Sequence, residues 1–305
     1  MDDQALDLEQ VLDLVPELRG ERSVTPLEGG LTNANHRVSC ASGSYVVRRW
    51  SADTGLLAID RDNEHHNSVS AAQAGVGAGV TAYLPEHNTL VLEWLEGETL
   101  SPERLRAGGA LLDELAAACR RLHGARRFRD DFDMFEIQPR YLRIVHERGF
   151  RLPDRYEEFA PQVAAIRAAF AVRPEPTVPC NNDLLAENVM ITADGVRLID
   201  YEYSGNNDPC FELGNVWSES GLSLDQLEQL VSAYDGGPSR SRLARARLWG
   251  LMSKYGWTLW ASIQDGVSEI DFDFWGWGME KYERAVAEFD SPMFERLLDE
   301  ARRAD

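Results

Sequence analysis

Lysine is almost absent from this chain. It occurs only at Lys254 and Lys281, so any chemistry that needs a lysine ahead of residue 254 is excluded. Cysteine is also scarce, and the four cysteines lack the spacing of metal ligands, which predicts reduced and mostly buried thiols. No two of the six histidines have the spacing of a metal-ligand pair on a predicted helix. His65 and His66 are adjacent, so their side chains point apart. We therefore assign no metal to histidine or cysteine.

Long apolar runs are missing as well. None approaches the roughly 18 residues of a membrane helix, and the N-terminus Met1–Gln4 is acidic where a signal peptide would be basic. These features predict a cytoplasmic protein. The formal net charge of −20 argues against nucleic acid or an anionic membrane as partner, and it favours attraction of a small cation. The oligomeric state is left open.

The length of 305 residues suits two lobes of unequal size. Apolar residues at helical spacing predict a helix over residues 5–18, and a strand, a glycine-rich turn and a second strand follow over residues 24–40. Glycine permits backbone amides to close over phosphates, although two adjacent glycines also make ordinary hairpins. Beyond residue 98 the apolar periodicity is mainly helical.

The most informative stretch runs from Asn181 to Glu202. A carboxylate at Asp183, an amide at Asn188 and a second carboxylate at Asp200 flank two short β-branched runs joined through Asp194-Gly195. Asp200 alone could be an ordinary exposed strand end. Taken together, the three side chains outline a magnesium phosphoryl-transfer site, in which Asp183 orients or deprotonates a hydroxyl and Asn188 and Asp200 bind metal.

This stretch resembles the catalytic and metal-binding loops of the choline/ethanolamine kinases, relatives of the aminoglycoside phosphotransferases. The likeness continues through Tyr203 and residues 211–215, returns near Trp257 and Trp260, and spans about residues 27–283. It implies a two-lobed, protein-kinase-like α+β fold, with a sheet-containing nucleotide lobe over residues 1–97 and a mostly helical catalytic and substrate lobe over residues 98–305. It also implies use of ATP and Mg²⁺.

The resemblance assigns residues to both lobes. Arg48 would replace the phosphate-pairing lysine of protein kinases, since a guanidinium forks well onto phosphate oxygens, and Glu64 would be its ion-pair partner. The residues expected at the nucleotide are Gly29, Gly30, Thr32, Asn33, Arg48, Glu64, Glu93 and Leu95. Those expected at the substrate are Asp183, Tyr203, Glu219, Trp257, Trp260, Phe272 and Trp277. Ring faces and a carboxylate suit a quaternary ammonium, although tryptophans at helical spacing also occur in ordinary cores.

Two positions depart from the family pattern. Asn181 stands where the family has a histidine, and Glu212 stands where it usually has an aspartate. The function implied is ATP-dependent phosphorylation of a small amino alcohol, choline first and ethanolamine second. The alternatives are phosphorylation of another hydroxylated amine such as an aminoglycoside, and a non-catalytic ATP-binding pseudokinase.

Overall fold

A five-stranded antiparallel sheet forms the N-terminal part of the computed structural model, which describes residues 6–28, 30–51 and 55–304. Its strands lie in the order β1-β2-β3-β5-β4. They are β1 (Arg22–Leu27), β2 (Asn33–Cys40), β3 (Gly43–Trp50), β4 (Val80–Leu84) and β5 (Thr89–Glu93). Helix α1 (Leu8–Leu14) precedes the sheet, and α2 (Arg61–Gln73) lies between β3 and β4.

The first helix is shorter than the sequence predicts. It begins at Leu8, capped by Asp7, and ends at Leu14, after which Pro16–Leu18 forms a 3-10 turn. Val15 precedes a proline and is extended, with φ −91° and ψ 112°, because the proline ring disfavours helical geometry at that position. The helix predicted over residues 5–18 is therefore wrong in its C-terminal part.

Helices dominate the rest of the chain. They are α3 (Pro102–Arg106), α4 (Ala110–His123), α5 (Met134–Arg148), α6 (Ala160–Val172), α7 (Pro209–Ser220), α8 (Leu224–Asp235), α9 (Arg240–Val267), α10 (Phe274–Phe289) and α11 (Phe294–Ala301). Strands β6 (Gly97–Thr99), β8 (Val189–Thr192) and β9 (Gly195–Leu198) form one small sheet, and β7 (Val178–Cys180) pairs with β10 (Gly205–Asn207). The hairpin predicted through Asp194-Gly195 is confirmed as β8 and β9.

Two separate hydrophobic clusters mark the two lobes. The smaller one joins α1 to the five-stranded sheet through residues such as Leu12, Val38 and Val91. The larger one fills the helical part, where α9 is buried along most of its length, and extends to Ala71 of α2 and to Val76. The α+β, two-lobed architecture is therefore confirmed. Gly97 already pairs with Thr192 of the helical lobe, and the boundary drawn at residue 97 stays a prediction.

Candidate active site

The loop between β7 and β8 carries Asp183. Its backbone is fixed from both sides, because the Asp183 carbonyl accepts hydrogen bonds from the Leu185 amide at 2.9 Å and from Asn188 Nδ2 at 2.7 Å. Asn188 ends the 3-10 turn Ala186–Asn188 just before β8. The spacing of five residues between the acid and the amide therefore closes a short loop in which the two are directly linked.

A buried carboxylate holds this loop from behind. Glu212, on the first turns of α7, accepts the backbone N–H groups of Asn181 and Asn182, each at 2.8 Å. Asn182 has a φ of +68°, in the left-handed region, where asparagine is one of the better tolerated residues. Glu212 is fully buried, and its two charge-assisted hydrogen bonds fix the loop. This glutamate stands at the position where the resemblance led us to expect an aspartate.

His123 and Cys180 lie beside Glu212. The ligand atoms of these three buried residues lie within 4.8 Å of one another, the one such group found among the described residues. Both Glu212 oxygens already accept backbone N–H groups, and His123 Nδ1 lies 2.7 Å from the Tyr234 hydroxyl. This hydrogen bonding accounts for the cluster as support for the loop.

Asp200 lies after β9 in a left-handed conformation, with φ +61°. The Asn181 side chain faces it, donating from Nδ2 to the Ile199 carbonyl at 3.1 Å and to the Asp200 carbonyl at 2.7 Å. The Asn181 amide oxygen accepts the backbone N–H of Asp183 at 3.1 Å. Asn181 thus links the two acidic residues of the site, as a local donor and acceptor in place of the family histidine.

Arg48 connects the two lobes. Its Nη1 donates to Glu64 Oε1 at 2.6 Å and to Asp200 Oδ1 at 2.7 Å, which confirms the predicted ion pair with Glu64. Burial opposes the charge of Arg48, but Asp200, Glu64 and Glu202 outweigh it and raise the pKa of the guanidinium. The nearest carboxylates therefore keep this buried arginine protonated.

Arg48 and Glu64 line a cavity of about 500 Å³ between the lobes. Its wall includes Gly30, Glu93 and Leu95, three more of the residues expected at the nucleotide. A Cβ on Gly30 would collide with the Asn33 carbonyl, so the turn needs glycine at this position. Gly29 lies outside the described residues.

Thr32 and Asn33 do not line this cavity but line its neighbour. Thr32 Oγ1 donates to Glu202 Oε1 at 2.9 Å, and Asn33 Nδ2 donates to Glu202 Oε2 at 2.9 Å. Arg61 supports the contact by donating to Asn33 Oδ1 at 2.8 Å.

Burial, followed by the charge of Asp200, raises the pKa of Glu202 to about 7. Sequence reasoning missed these contacts, since Glu202 lies 170 positions from Thr32 and Arg61 lies 28 positions from Asn33.

The neighbouring cavity, of about 400 Å³, is lined by both aromatic and acidic side chains. All seven residues predicted for the substrate line it: Asp183, Tyr203, Glu219, Trp257, Trp260, Phe272 and Trp277. Tyr203 packs edge-on against Trp257, with ring centroids 4.9 Å apart, and its hydroxyl accepts the Trp260 Nε1–H at 2.7 Å. Phe272 lies at the rim and is 42% exposed. The tryptophan pair thus lines a cavity as well as the core.

Asp183 lies among several carboxylates. Burial raises the pKa of Asp183 well above its usual value, and the charges of Asp200, Glu219 and Glu202 add to the effect. Lys281 acts in the opposite direction. Lys281 was not among the residues predicted for the site; the only signal in the sequence is its place four residues after Trp277 on a helix, where both side chains share a face.

Asn188 and Asp200 line both cavities, together with Gly30, Asn35 and Glu187. The structure therefore brings every described residue predicted for the site into two adjoining cavities between a sheet lobe and a helical lobe. A cleft between two lobes that meets a small polar and aromatic pocket at shared acids and amides is the arrangement of a small-molecule phosphotransferase of the protein-kinase-like fold.

Comparison with known proteins agrees with this class. Residues 23–248 match the model of the Phosphotransferase enzyme family, and the chain belongs to that family. A choline/ethanolamine kinase family protein from Mesorhizobium loti is 30% identical, with a TM-score of 0.84 over 96% of this chain and 97% of that one. Choline kinase LicA from Streptococcus pneumoniae is 26% identical, with a TM-score of 0.77 over 92% of this chain and 98% of that one.

Among curated sequences, ethanolamine kinase 2 from Rattus norvegicus is 28% identical over 75% of this chain and 66% of its own length. The predicted resemblance to choline/ethanolamine kinases is thus confirmed at the level of the family. Within the described ranges, no helix has the length and apolar character required to cross a bilayer.

Proposed function

We propose that this enzyme transfers the γ-phosphoryl group of ATP to the hydroxyl of a small amino alcohol in a reaction that requires Mg²⁺. The candidate acceptors are choline and ethanolamine. The observation that carries the proposal is the meeting of the two cavities at Asn188 and Asp200. A phosphoryl group bound there has the nucleotide cleft on one side and Asp183 with the aromatic pocket on the other. That is the order of components that in-line transfer requires.

Asp183 would accept the hydroxyl proton or hold the hydroxyl in line. Its raised pKa suits a general base better than an ordinary aspartate, because a base works best when its pKa approaches the operating pH. The carbonyl fixed by Asn188 keeps the loop in place while the carboxylate remains at the cavity wall. Asp183 therefore lies where the acceptor hydroxyl would arrive.

Asn188 and Asp200 offer the hard oxygen ligands that Mg²⁺ prefers. Asn188 uses its amide nitrogen toward Asp183, which leaves its amide oxygen available, and Asp200 uses Oδ1 toward Arg48, which leaves Oδ2. The donor set therefore fits the metal. Bound Mg²⁺ would neutralise charge on the phosphates. Arg48 would add a fixed positive charge on the nucleotide side.

The aromatic pocket favours a small cationic acceptor. Its volume of about 400 Å³ lies near the lower end of the ligand-pocket range, roughly 300 to 1,000 Å³. Tyr203, Trp257 and Trp260 present ring faces and edges, while Glu219 supplies negative charge. The net charge of −20 would also attract a cation and would repel nucleic acid or an anionic membrane.

Amine-stimulated ADP release tests the proposal. Purified protein is supplied with ATP and Mg²⁺, and ADP is measured with choline, with ethanolamine and with a polyhydroxylated amine; Asp183→Asn is the matched control. We expect stimulation by an amino alcohol that disappears when magnesium is chelated. Stimulation by the polyhydroxylated amine alone would favour an aminoglycoside-like acceptor. Nucleotide binding without stimulation by any amine would indicate a pseudokinase.

A further inference from the structure

Glu219 already has a cationic partner. The ammonium of Lys281 on α10 forms an ion pair with Glu219 Oε2, and both side chains are almost inaccessible, at 7% and 2% exposed. The same ammonium lies 4.0 Å from the ring centroid of Trp277. A cation of the protein itself thus occupies two of the groups that were predicted to hold the cation of the substrate.

The second carboxylate oxygen of Glu219 has no such partner. Oε1 is buried and has no hydrogen-bond partner in the described part of the chain. A buried acceptor without a donor is costly, and a ligand that supplies a donor removes that cost. A protonated primary, secondary or tertiary amine carries such an N–H group, whereas a quaternary ammonium does not.

Lys281 also changes what the pocket offers a permanent cation. It neutralises Glu219, so the carboxylate attracts an incoming positive charge less strongly than an unpaired one would. It also covers one face of Trp277, which the methyl groups of a quaternary ammonium could otherwise contact. Both effects act against choline relative to an amine that can hydrogen-bond to Oε1.

We propose that Lys281 is a specificity-determining residue of the amine pocket, and that its pairing with Glu219 selects amino alcohols with an N–H donor over quaternary ones. The inference rests on the proposed function, because it concerns the acceptor of that same reaction. Lys281 lies outside the set predicted from the sequence, and its role is distinct from proton transfer.

The chain contains a matched control. Lys254, its other lysine, is also buried, pairs with Glu288, and lies 4.5 Å from the ring centroid of Trp217. None of these three residues lines the aromatic cavity. The charge of Glu219 also acts on the pKa of Lys254, but its effect is the smallest of the causes given by the surroundings. Lys254→Met therefore removes an equivalent ion pair while leaving the Glu219–Lys281 pair in place.

The experiment is a competition assay with ethanolamine and its mono-, di- and trimethylated forms, the last of which is choline. Competing acceptors give ratios of kcat/KM that do not depend on how much of a variant is folded. In the parent protein we expect the step from the dimethyl form to choline, which removes the last N–H, to lower kcat/KM about tenfold or more. Earlier methylations should have smaller effects.

Replacement of Lys281 should change this pattern. Lys281→Met should raise the choline-to-ethanolamine ratio about fivefold or more, because Glu219 loses the cation that neutralises it and attracts the permanent charge of choline more strongly. Lys281→Arg, which keeps the charge, and Lys254→Met should stay within about twofold to threefold of the parent ratio.

Two results would overturn the inference while the proposed function stands. One is a parent enzyme that phosphorylates choline as efficiently as the dimethyl form. The other is a Lys281→Met ratio equal to that of the parent. Absence of ADP release with all four amines would instead refute the proposed function, and the inference with it.

Discussion

Replacing Asn181 by alanine tests how the two acidic residues of the site are held together. The Asn181 side chain makes three hydrogen bonds, to the carbonyls of Ile199 and Asp200 and from the N–H of Asp183. It is fully buried, so water cannot take its place without rearrangement. Alanine removes all three bonds and leaves the two carbonyls without this donor.

The magnitude follows from those bonds. At about 0.5–1.5 kcal/mol net for each, the variant should lose about 3 kcal/mol of unfolding free energy. Asp200 is held at φ +61°, a conformation that costs about 1–3 kcal/mol and persists only while its surroundings enforce it. If half of the loss appears as displacement of Asp200 and Asp183, about 1.5 kcal/mol of transition-state stabilisation disappears, which lowers kcat about tenfold. The requirement for magnesium should rise as well.

The assay measures ADP release against magnesium concentration, together with unfolding in urea. Asn206→Ala is the matched control, because the buried Asn206 side chain also donates to two backbone carbonyls, those of Phe128 and Asp130, and accepts the Phe128 N–H. We expect both variants to lose stability and only Asn181→Ala to lose kcat. Equal kcat and equal magnesium dependence in the two variants would show that Asn181 serves stability alone.

Further substitutions address the groups at the reaction centre and in the pocket. Asp183→Asn should lower turnover by about 10²–10⁴ with ATP binding largely intact, and near-normal turnover in a folded variant would remove it from the mechanism. Burial raises the pKa of Asp183, and a general base must be deprotonated to act. As the pH is lowered, kcat/KM should therefore begin to fall at a higher pH than it would with an ordinary aspartate as the base. The residual rate of Asp183→Asn should not show this acidic fall. Asp200→Ala should abolish metal-dependent turnover, whereas Arg48→Ala should mainly raise the ATP requirement; unchanged magnesium dependence in the first variant would contradict the metal assignment. Trp257→Ala or Trp260→Ala should raise the KM of the amine about tenfold with ATP affinity little changed, and phenylalanine should restore part of the loss; a purely structural role would instead lower stability without a selective effect on the amine.

Local sequence and the family resemblance together predicted two features that position the site. The hairpin of β8 and β9 follows from β-branched runs joined by Asp194-Gly195, a signal contained within ten residues. The Arg48–Glu64 pair followed from the resemblance, which supplied a partner for the arginine. Local sequence also explains why the helix predicted over residues 5–18 is too long. Apolar spacing favours a helix through residue 18, but Pro16 ends it at Leu14.

The sequence by itself determined which groups the site contains: an acid and an amide five residues apart, a second acid after a strand, an arginine in a chain poor in lysine, and tryptophans at helical spacing. Only the tertiary structure decided how these groups are paired. Glu202 meets Thr32 across 170 positions, and Lys281 meets Glu219 across 62. Such contacts depend on how the helices and the two lobes pack, and neither hydrophobic periodicity nor spacing along the chain specifies which distant charges will share a buried volume. The pairing of Glu219, and with it the charge that the amine pocket presents to its substrate, is therefore a property of the folded protein.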